Sequence, residues 1–382
     1  MHRPKILVTG ATGRTGGVLV TELLNAGYPV RALLRNDDAR AATLRARGVE
    51  IAVANMVDAE RVTAAMHGVQ RAYWLPPYDP EMLSGAAVFA SAAREAQLES
   101  IVSLSQWLAS PAHPAFLTRQ HWLADRIFTA LPNIGFTIIS PGFFADSPYL
   151  ETIGMAAHLG LMPWSFGDSL NAPPSVNDIA RVAAAALMDP KRHAGRTYRP
   201  TGPTLLSGGD MAAILSRIFG RTVKLVPTPL WMFLKTAHLG GQPMALLSCM
   251  EHYFEEHRRG AFEIGAPNDH VAHVTGRQPE SFETVARRLA ALPANRRGRS
   301  GTLQQFARFL AVAVARRPNT RRYLRGLQMV APVEPQYAVE SARWRREHGF
   351  AATESDATSA TQESPSQGRA LIDTTHSLTT PS

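Results

Sequence analysis

Along the first 140 residues, short apolar runs alternate with longer segments whose apolar residues recur at helical spacing. Ile6-Leu7-Val8 is short and β-branched enough to be a buried parallel strand. The segment Val18 to Leu24 then reads as a helix, and Gly27 suits the left-handed position that closes one. Further strands are predicted over 30–34, 49–54, 71–75, 100–104 and 135–139. Helices are predicted over 38–47, from Asp58 as N-cap to Gly68, over 81–96 and over 116–131. Six strands alternating with helices define an α/β fold, a parallel sheet wound on both faces. After Tyr149 the alternation loosens. Short strands are expected over 196–199 and 222–226. Helices are expected over 179–188 (capped by Asn177 or Asp178), 209–219, 229–237, 245–256 and 281–292. The organisation predicted is a first domain over 1–148 and a smaller substrate lobe over 149–294, interleaved with it. A basic helical extension over 295–350 and a disordered tail over 351–382 follow.

The turn between the first strand and first helix carries the chemistry. Gly10, Gly13 and Gly16 stand three apart, with Thr12, Arg14 and Thr15 between them. Without Cβ atoms such a turn lets a pyrophosphate reach the backbone, and the helix start offers unpaired N–H groups and the positive end of its dipole. The position after a strand and before a helix points to dinucleotide binding in a Rossmann-type domain. At the end of the second strand, where an acid would receive the free ribose hydroxyl of NAD, stands Arg35, which suits a 2′-phosphate. NADP(H) is therefore expected over NAD(H), with Arg14 adding to the phosphate site. Asn55 is placed for the adenine edge and Met56 for its face. Leu75 and Pro76 fall beside the nicotinamide ribose, and Ser105 is a hydrogen-bonding group at the end of the fifth strand. Pro141 and Phe143 shape the nicotinamide side.

Composition narrows the class. With 45% hydrophobic and 19% charged residues the chain reads as a soluble globular protein. No run nears the ~20 apolar residues of a membrane span, and the start leads straight into a strand, so a cytoplasmic protein without a signal peptide is expected. The lone Cys249 excludes an internal disulfide and reads as a small buried apolar residue. No GxSxG elbow or HExxH is present. His252, Glu255, Glu256 and His257 share a predicted helix, but no third metal ligand is evident, so a solvated or pocket-lining face is expected and no metal. His113, on a Pro-flanked loop, is a weaker candidate than His121. The aromatics Trp107, Trp122, Phe143, Phe144 and Trp164 are candidate walls of an apolar pocket.

ILVTGATGRTGG at the start, SLSQW (103–107), FTIISPGFF (136–144), SVNDIARVAAAAL (175–187) and HVTGRQPESFETV (273–285) resemble the NmrA-like branch of the atypical short-chain dehydrogenase/reductases. The resemblance covers roughly residues 3–294. It implies a Rossmann-type domain binding NADP(H), or less often NAD(H), and a small substrate lobe. It implies either a reductase of quinones, dyes or other small unsaturated compounds, or a non-catalytic NAD(P)H-sensing regulator. The wider superfamily works through a Tyr-x-x-x-Lys pair, and no YxxxK occurs here. NmrA-like reductases often keep the lysine, four residues before an acid. With Asp125 as that acid, the position falls on His121. The family's usual Arg before Pro-Gly is Ser140, and its later Asn is Asp146. The catalytic candidates are accordingly His121 and Ser105, in a reductase passing hydride from NADPH to a small apolar or aromatic acceptor.

The net charge of +9 is concentrated late. Residues 296–346 hold twelve arginines and two glutamates, leaving only +3 for the first 295 residues. Within that stretch Thr302 to Ala315 is an apolar helical pattern bounded by arginines. It suits packing on the main body, an anionic membrane surface or a protein partner. No nucleic-acid-binding motif accompanies it.

Overall fold

The computed structural model describes residues 3–296 and 298–349, so the tail expected to be disordered lies outside the described residues. The chain begins β1 (Ile6–Thr9), α1 (Arg14–Asn25), β2 (Val30–Leu34), α2 (Ala39–Arg45), β3 (Glu50–Val53), α3 (Ala59–Met66), β4 (Arg71–Trp74) and α4 (Met82–Glu95). Then come β5 (Ser100–Leu104), α5 (Phe116–Thr129), β6 (Gly135–Ile139), α6 (Ile153–Leu159), β7 (Leu161–Trp164), α7 (Val176–Met188), α8 (Pro190–His193) and β8 (Thr197–Tyr198). The remainder is α9 (Gly208–Phe219), β9 (Lys224–Pro227), α10 (Leu230–Leu239), α11 (Met244–Arg258), α12 (His270–Thr275), α13 (Phe282–Ala290), α14 (Arg299–Val314), α15 (Thr320–Leu327) and α16 (Ala342–Glu347).

The main sheet has seven parallel strands in the order β3-β2-β1-β4-β5-β6-β8. The six expected strands are its first six. Their apolar runs are continuous because both faces are covered: Ile6 and Val8 pack with α1 and α7, and Leu7 packs with α3 and α4. The chain order reverses between β1 and β4, so a crevice opens at the carboxyl ends of these strands.

The later residues do not form a separate body. Ile179, Ala183 and Leu187 of α7 share a core with Leu19 and Leu23 of α1, and β8 extends the main sheet. The lobe over the crevice is built from α6, α9 to α11 and α13 around the two-stranded sheet β7–β9. Asp58 caps α3 and Gly27 is left-handed, as expected. The cap of α7 is neither Asn177 nor Asp178. Ser175 Oγ accepts from the Asp178 amide at 3.0 Å, and the Asp178 carboxylate accepts back from Ser175 Oγ and from the Glu280 amide.

The extension divides in two. Its last part straps the lobe: Trp344 is fully buried, its indole N–H donates to the Trp107 carbonyl at 2.8 Å, and it stacks on His348 with centroids 3.9 Å apart. Residues Tyr323, Leu324 and Leu327 of α15 pack into the lobe's core. By contrast, α14 lies on α6 and α10 by one face only.

Candidate functional site

The glycine turn is built as its spacing requires. Gly10 has φ +63°, and the Gly13 amide donates to its carbonyl at 2.8 Å. A Cβ on Gly16 would stand 2.2 Å from the Gly10 oxygen, so only glycine lets α1 start this close to β1. Gly13 caps α1 without a side-chain hydrogen bond, and no acid stands in the first turn. Thr12, Gly13 and Arg14 are exposed while Thr15 and Gly16 are buried, which presents the first-turn amides of α1 to the crevice. Free backbone N–H groups at a helix start with no side chain over them are the geometry of an anion-binding turn.

Arg35 is exposed at the end of β2. The neighbouring acids are engaged elsewhere: Asp37 pairs with Arg45 at 2.6 Å, and Asp38 pairs with Arg40 at 2.6 Å while capping α2. Among the described residues Arg35 itself pairs with no carboxylate. Asn55 is exposed just beyond β3, and Met56 is half-buried against α4, whose Gly85 leaves room for it. Arg14 reaches across the crevice mouth to Glu151 of the lobe at 3.2 Å, so it bridges the two walls in this structure.

A cleft of about 450 Å³ runs from the glycine turn under the lobe, within the range of small-molecule sites. Leu75 to Tyr78, Ser105 to Leu108 and Pro141 to Phe144 line it, each following a parallel strand, so the sheet delivers all three to one edge. The far wall is Phe233 and Ala237 of α10, with Leu246, Leu247, Met250 and Tyr253 of α11.

Ser105 lines the cleft and meets the buried Asp125 behind it. Ser105 Oγ lies 2.5 Å from Asp125 Oδ2, and Ser103 Oγ donates to the other oxygen at 3.4 Å. Burial pushes the Asp125 carboxyl up to about 7, although both serines and Arg126 favour its charged form. His121, one turn earlier on α5, also lines the cleft. Its Nε2 has no partner among the described residues, and burial pulls its pKa down to about 3. His121 is thus a neutral imidazole at physiological pH, fit to exchange a hydrogen bond but not to act as an imidazolium acid.

Asp125 was a landmark in the sequence and turns out to be the titratable group beneath Ser105. Tyr253 had no sequence signal. Its hydroxyl accepts from Gln106 at 3.2 Å and from Thr118 at 3.3 Å, and desolvation raises it well above a free phenol, which makes it the poorer acid.

Several expected site residues lie elsewhere. Trp107, Phe143 and Phe144 do wall the cleft. Trp164 packs behind it against Tyr149 and Phe166, and Trp122 faces outward under the Arg126 and Arg343 guanidiniums. The expected solvated or pocket-lining face of α11 is instead partly internal. Glu256 accepts from His113 Nε2 at 2.9 Å and from the Ala338 amide, and His257 joins Tyr149 at 2.7 Å. Since the Ala115 amide donates to His113 Nδ1, His113 is held in one tautomer as a structural link. Cys249 is buried and its thiol is pushed up to about 11, in keeping with a packing role.

The strand order, the reversed crossover and the glycine turn define a Rossmann-type fold with a smaller lobe over its crevice. Residues 2–122 match the sequence profile of the NmrA-like family. An NAD(P)H azoreductase of Xenophilus azovorans is 31% identical over 296 residues, 75% of this chain and 98% of that protein. The chain belongs to the NmrA-like family. An NADPH-dependent quinone oxidoreductase from Escherichia coli, solved with NADPH, shares the fold with a TM-score of 0.65 at 22% identity, over 74% of this chain and 99% of that one. The triphenylmethane reductase of Citrobacter sp., solved with NADP(H), gives 0.64 at 22%, over 75% and 99%. About a quarter of this chain thus lies beyond what these relatives share. Among the described residues no helix is long and apolar enough to cross a membrane.

Proposed function

We propose that this protein is an NADPH-dependent reductase of small apolar or aromatic acceptors. The observation that carries the reading is the protonatable Asp125 behind Ser105, which lines an apolar cleft that begins at the glycine cradle. The first-turn amides of α1 would hold the pyrophosphate, and the uncommitted Arg35 would hold a 2′-phosphate. Asn55 and Met56 would border the adenine. Leu75, Pro76, Pro141 and Phe143 would border the nicotinamide end, where a bound reduced cofactor supplies hydride. His121 Nε2, neutral and unpartnered, gives a hydrogen bond for a ribose hydroxyl or a polar atom of the acceptor.

The proton that must accompany the hydride has a route in the chain itself. Ser105 Oγ gives its proton to the acceptor and recovers one from Asp125 Oδ2, 2.5 Å away. Because the carboxyl titrates at about 7, it still holds a proton where an ordinary aspartate would not. Leu246, Leu247, Met250 and Phe143 exclude water and favour an apolar acceptor. The relative from Xenophilus azovorans, an NAD(P)H azoreductase, supports this class of reaction.

The test is consumption of NADPH, followed by nicotinamide absorbance, across quinones, azo dyes and enones. Turnover with at least one class is expected, with NADPH preferred to NADH. Tight NADPH binding with no turnover on any of them would overturn the enzyme reading and favour a dinucleotide-sensing protein.

A further inference from the structure

The inner face of α14 is occupied: Gln305 is buried, Gly301 sits against the His158 ring, and Lys235 of α10 donates to the Val312 and Ala313 carbonyls. Its outer face is apolar and open. Leu303, Phe306, Leu310 and Val314 fall on one side at helical spacing, with exposures of 72%, 55%, 63% and 85%. Trp231, 40% exposed on α10, continues this face through Lys235, whose ammonium lies 5.3 Å from the indole. A soluble chain does not gather large apolar side chains in this way without something to cover them.

The charge around the face says what covers it. From residue 284 to residue 333 the sequence holds no acid at all and eleven arginines. Arg299 stands at the start of α14 and Arg316 and Arg317 just past its end. All three are exposed, and among the described residues they pair with no carboxylate. Arg299 even opposes the helix dipole, so its charge does not serve the helix.

We propose that this face docks on an anionic lipid bilayer, with α14 lying flat in the headgroup region. At 16 residues the helix is about 24 Å long, and its arginines bracket an aliphatic and phenylalanine surface, the arrangement of an interfacial helix. A second copy of this chain is disfavoured as occupant, because pairing two such faces brings two acid-free arginine clusters together. Nucleic acid complements the charge but leaves Leu303, Leu310 and Val314 uncovered. The proposal is independent of the reductase reading.

The test is co-sedimentation of the full chain with vesicles of phosphatidylcholine alone and of phosphatidylcholine with about one third phosphatidylglycerol. At least about tenfold tighter binding to the anionic vesicles is expected, weakening as salt is raised. The double variant Phe306→Asp, Leu310→Asp should abolish binding, and Arg316→Glu with Arg317→Glu should weaken it at least about tenfold. All four positions are exposed, so circular dichroism and thermal midpoint should stay at wild-type values. Equal binding to both compositions, no binding to either, or undiminished binding by the double variant overturns the proposal. Two further outcomes overturn it while assigning the face elsewhere. One is a dimer in sedimentation velocity that Phe306→Asp, Leu310→Asp dissociates, without vesicle binding. The other is a gel shift with duplex DNA, without vesicle binding.

Discussion

Replacing Asp125 by asparagine separates the two things its carboxyl does. The side chain is buried, and its proton is held until about pH 7 where a free aspartate would lose it near 3.8. The folded pKa lies above the unfolded one. The stability associated with the neutral carboxyl is therefore fully present below 3.8 and is lost as pH rises from there to about 7. At about 1.4 kcal/mol per pH unit, the loss amounts to about 4 kcal/mol. Asparagine keeps an oxygen for the Ser105 hydroxyl and has no proton to lose. At the acid end the variant should match wild type, and its advantage should grow from pH 5 to pH 7 and level off, reaching up to about 4 kcal/mol at pH 8. Urea melts of both proteins at pH 5, 6, 7 and 8 read this difference directly, since every other titrating group is common to both. The same variant should lose about a hundredfold in kcat with the best acceptor, as expected for removing a general acid. The wild-type fall of kcat/KM above pH 7 should disappear with it. A stability difference that stays constant from pH 5 to pH 8 would refute the assignment of a raised pKa to Asp125. A variant with unchanged kcat would remove Asp125 from the proton route while leaving the stability argument intact.

Three further outcomes test other parts of the molecule. Gly16→Ala puts a methyl 2.2 Å from the Gly10 oxygen, so it should cost about 1–3 kcal/mol in a denaturant melt and weaken NADPH at least about tenfold by calorimetry. Arg35→Asp should lower the preference for NADPH over NADH by at least about tenfold, in proportion to a lost charge-assisted contact, and an unchanged ratio removes Arg35 from the phosphate site. Trp344→Ala empties a fully buried site and should cost about 3–5 kcal/mol in a thermal or urea melt, with KM for the acceptor rising as the Trp107 loop loosens.

The sheet was legible because a parallel strand covered on both faces reads as a short, mostly apolar run, as Ile6 to Val8 and Ile101 to Leu104 do. The glycine turn was legible for a related reason, since steric room at Gly16 and a positive φ at Gly10 leave a residue-level mark. What escaped depends on contacts far apart in sequence. Strand β7 has Pro163 at its centre, and only its two-stranded setting with β9 accommodates it. The Glu256 link to His113 spans 143 residues, so the helix that carries it reads as a polar surface. Trp344 sits among four charged neighbours in ARWRRE, and nothing local announces that it is core. The role of Asp125 is a matter of desolvation, which is a property of what surrounds it in space. His121, by contrast, was singled out by its position relative to that acid, and its ring lines the cleft.

The indole of Trp344 closes on the carbonyl of Trp107 across 237 residues of chain. During synthesis the nucleotide-binding half can therefore condense long before the segment that braces its cleft has left the ribosome. A nascent or truncated chain ending near residue 330 would own every sheet strand and the glycine cradle, yet hold the Ser105–Leu108 wall without its outer prop. On the proposed function, such a chain would keep the parts that hold the dinucleotide and lack a brace at the acceptor end of the cleft.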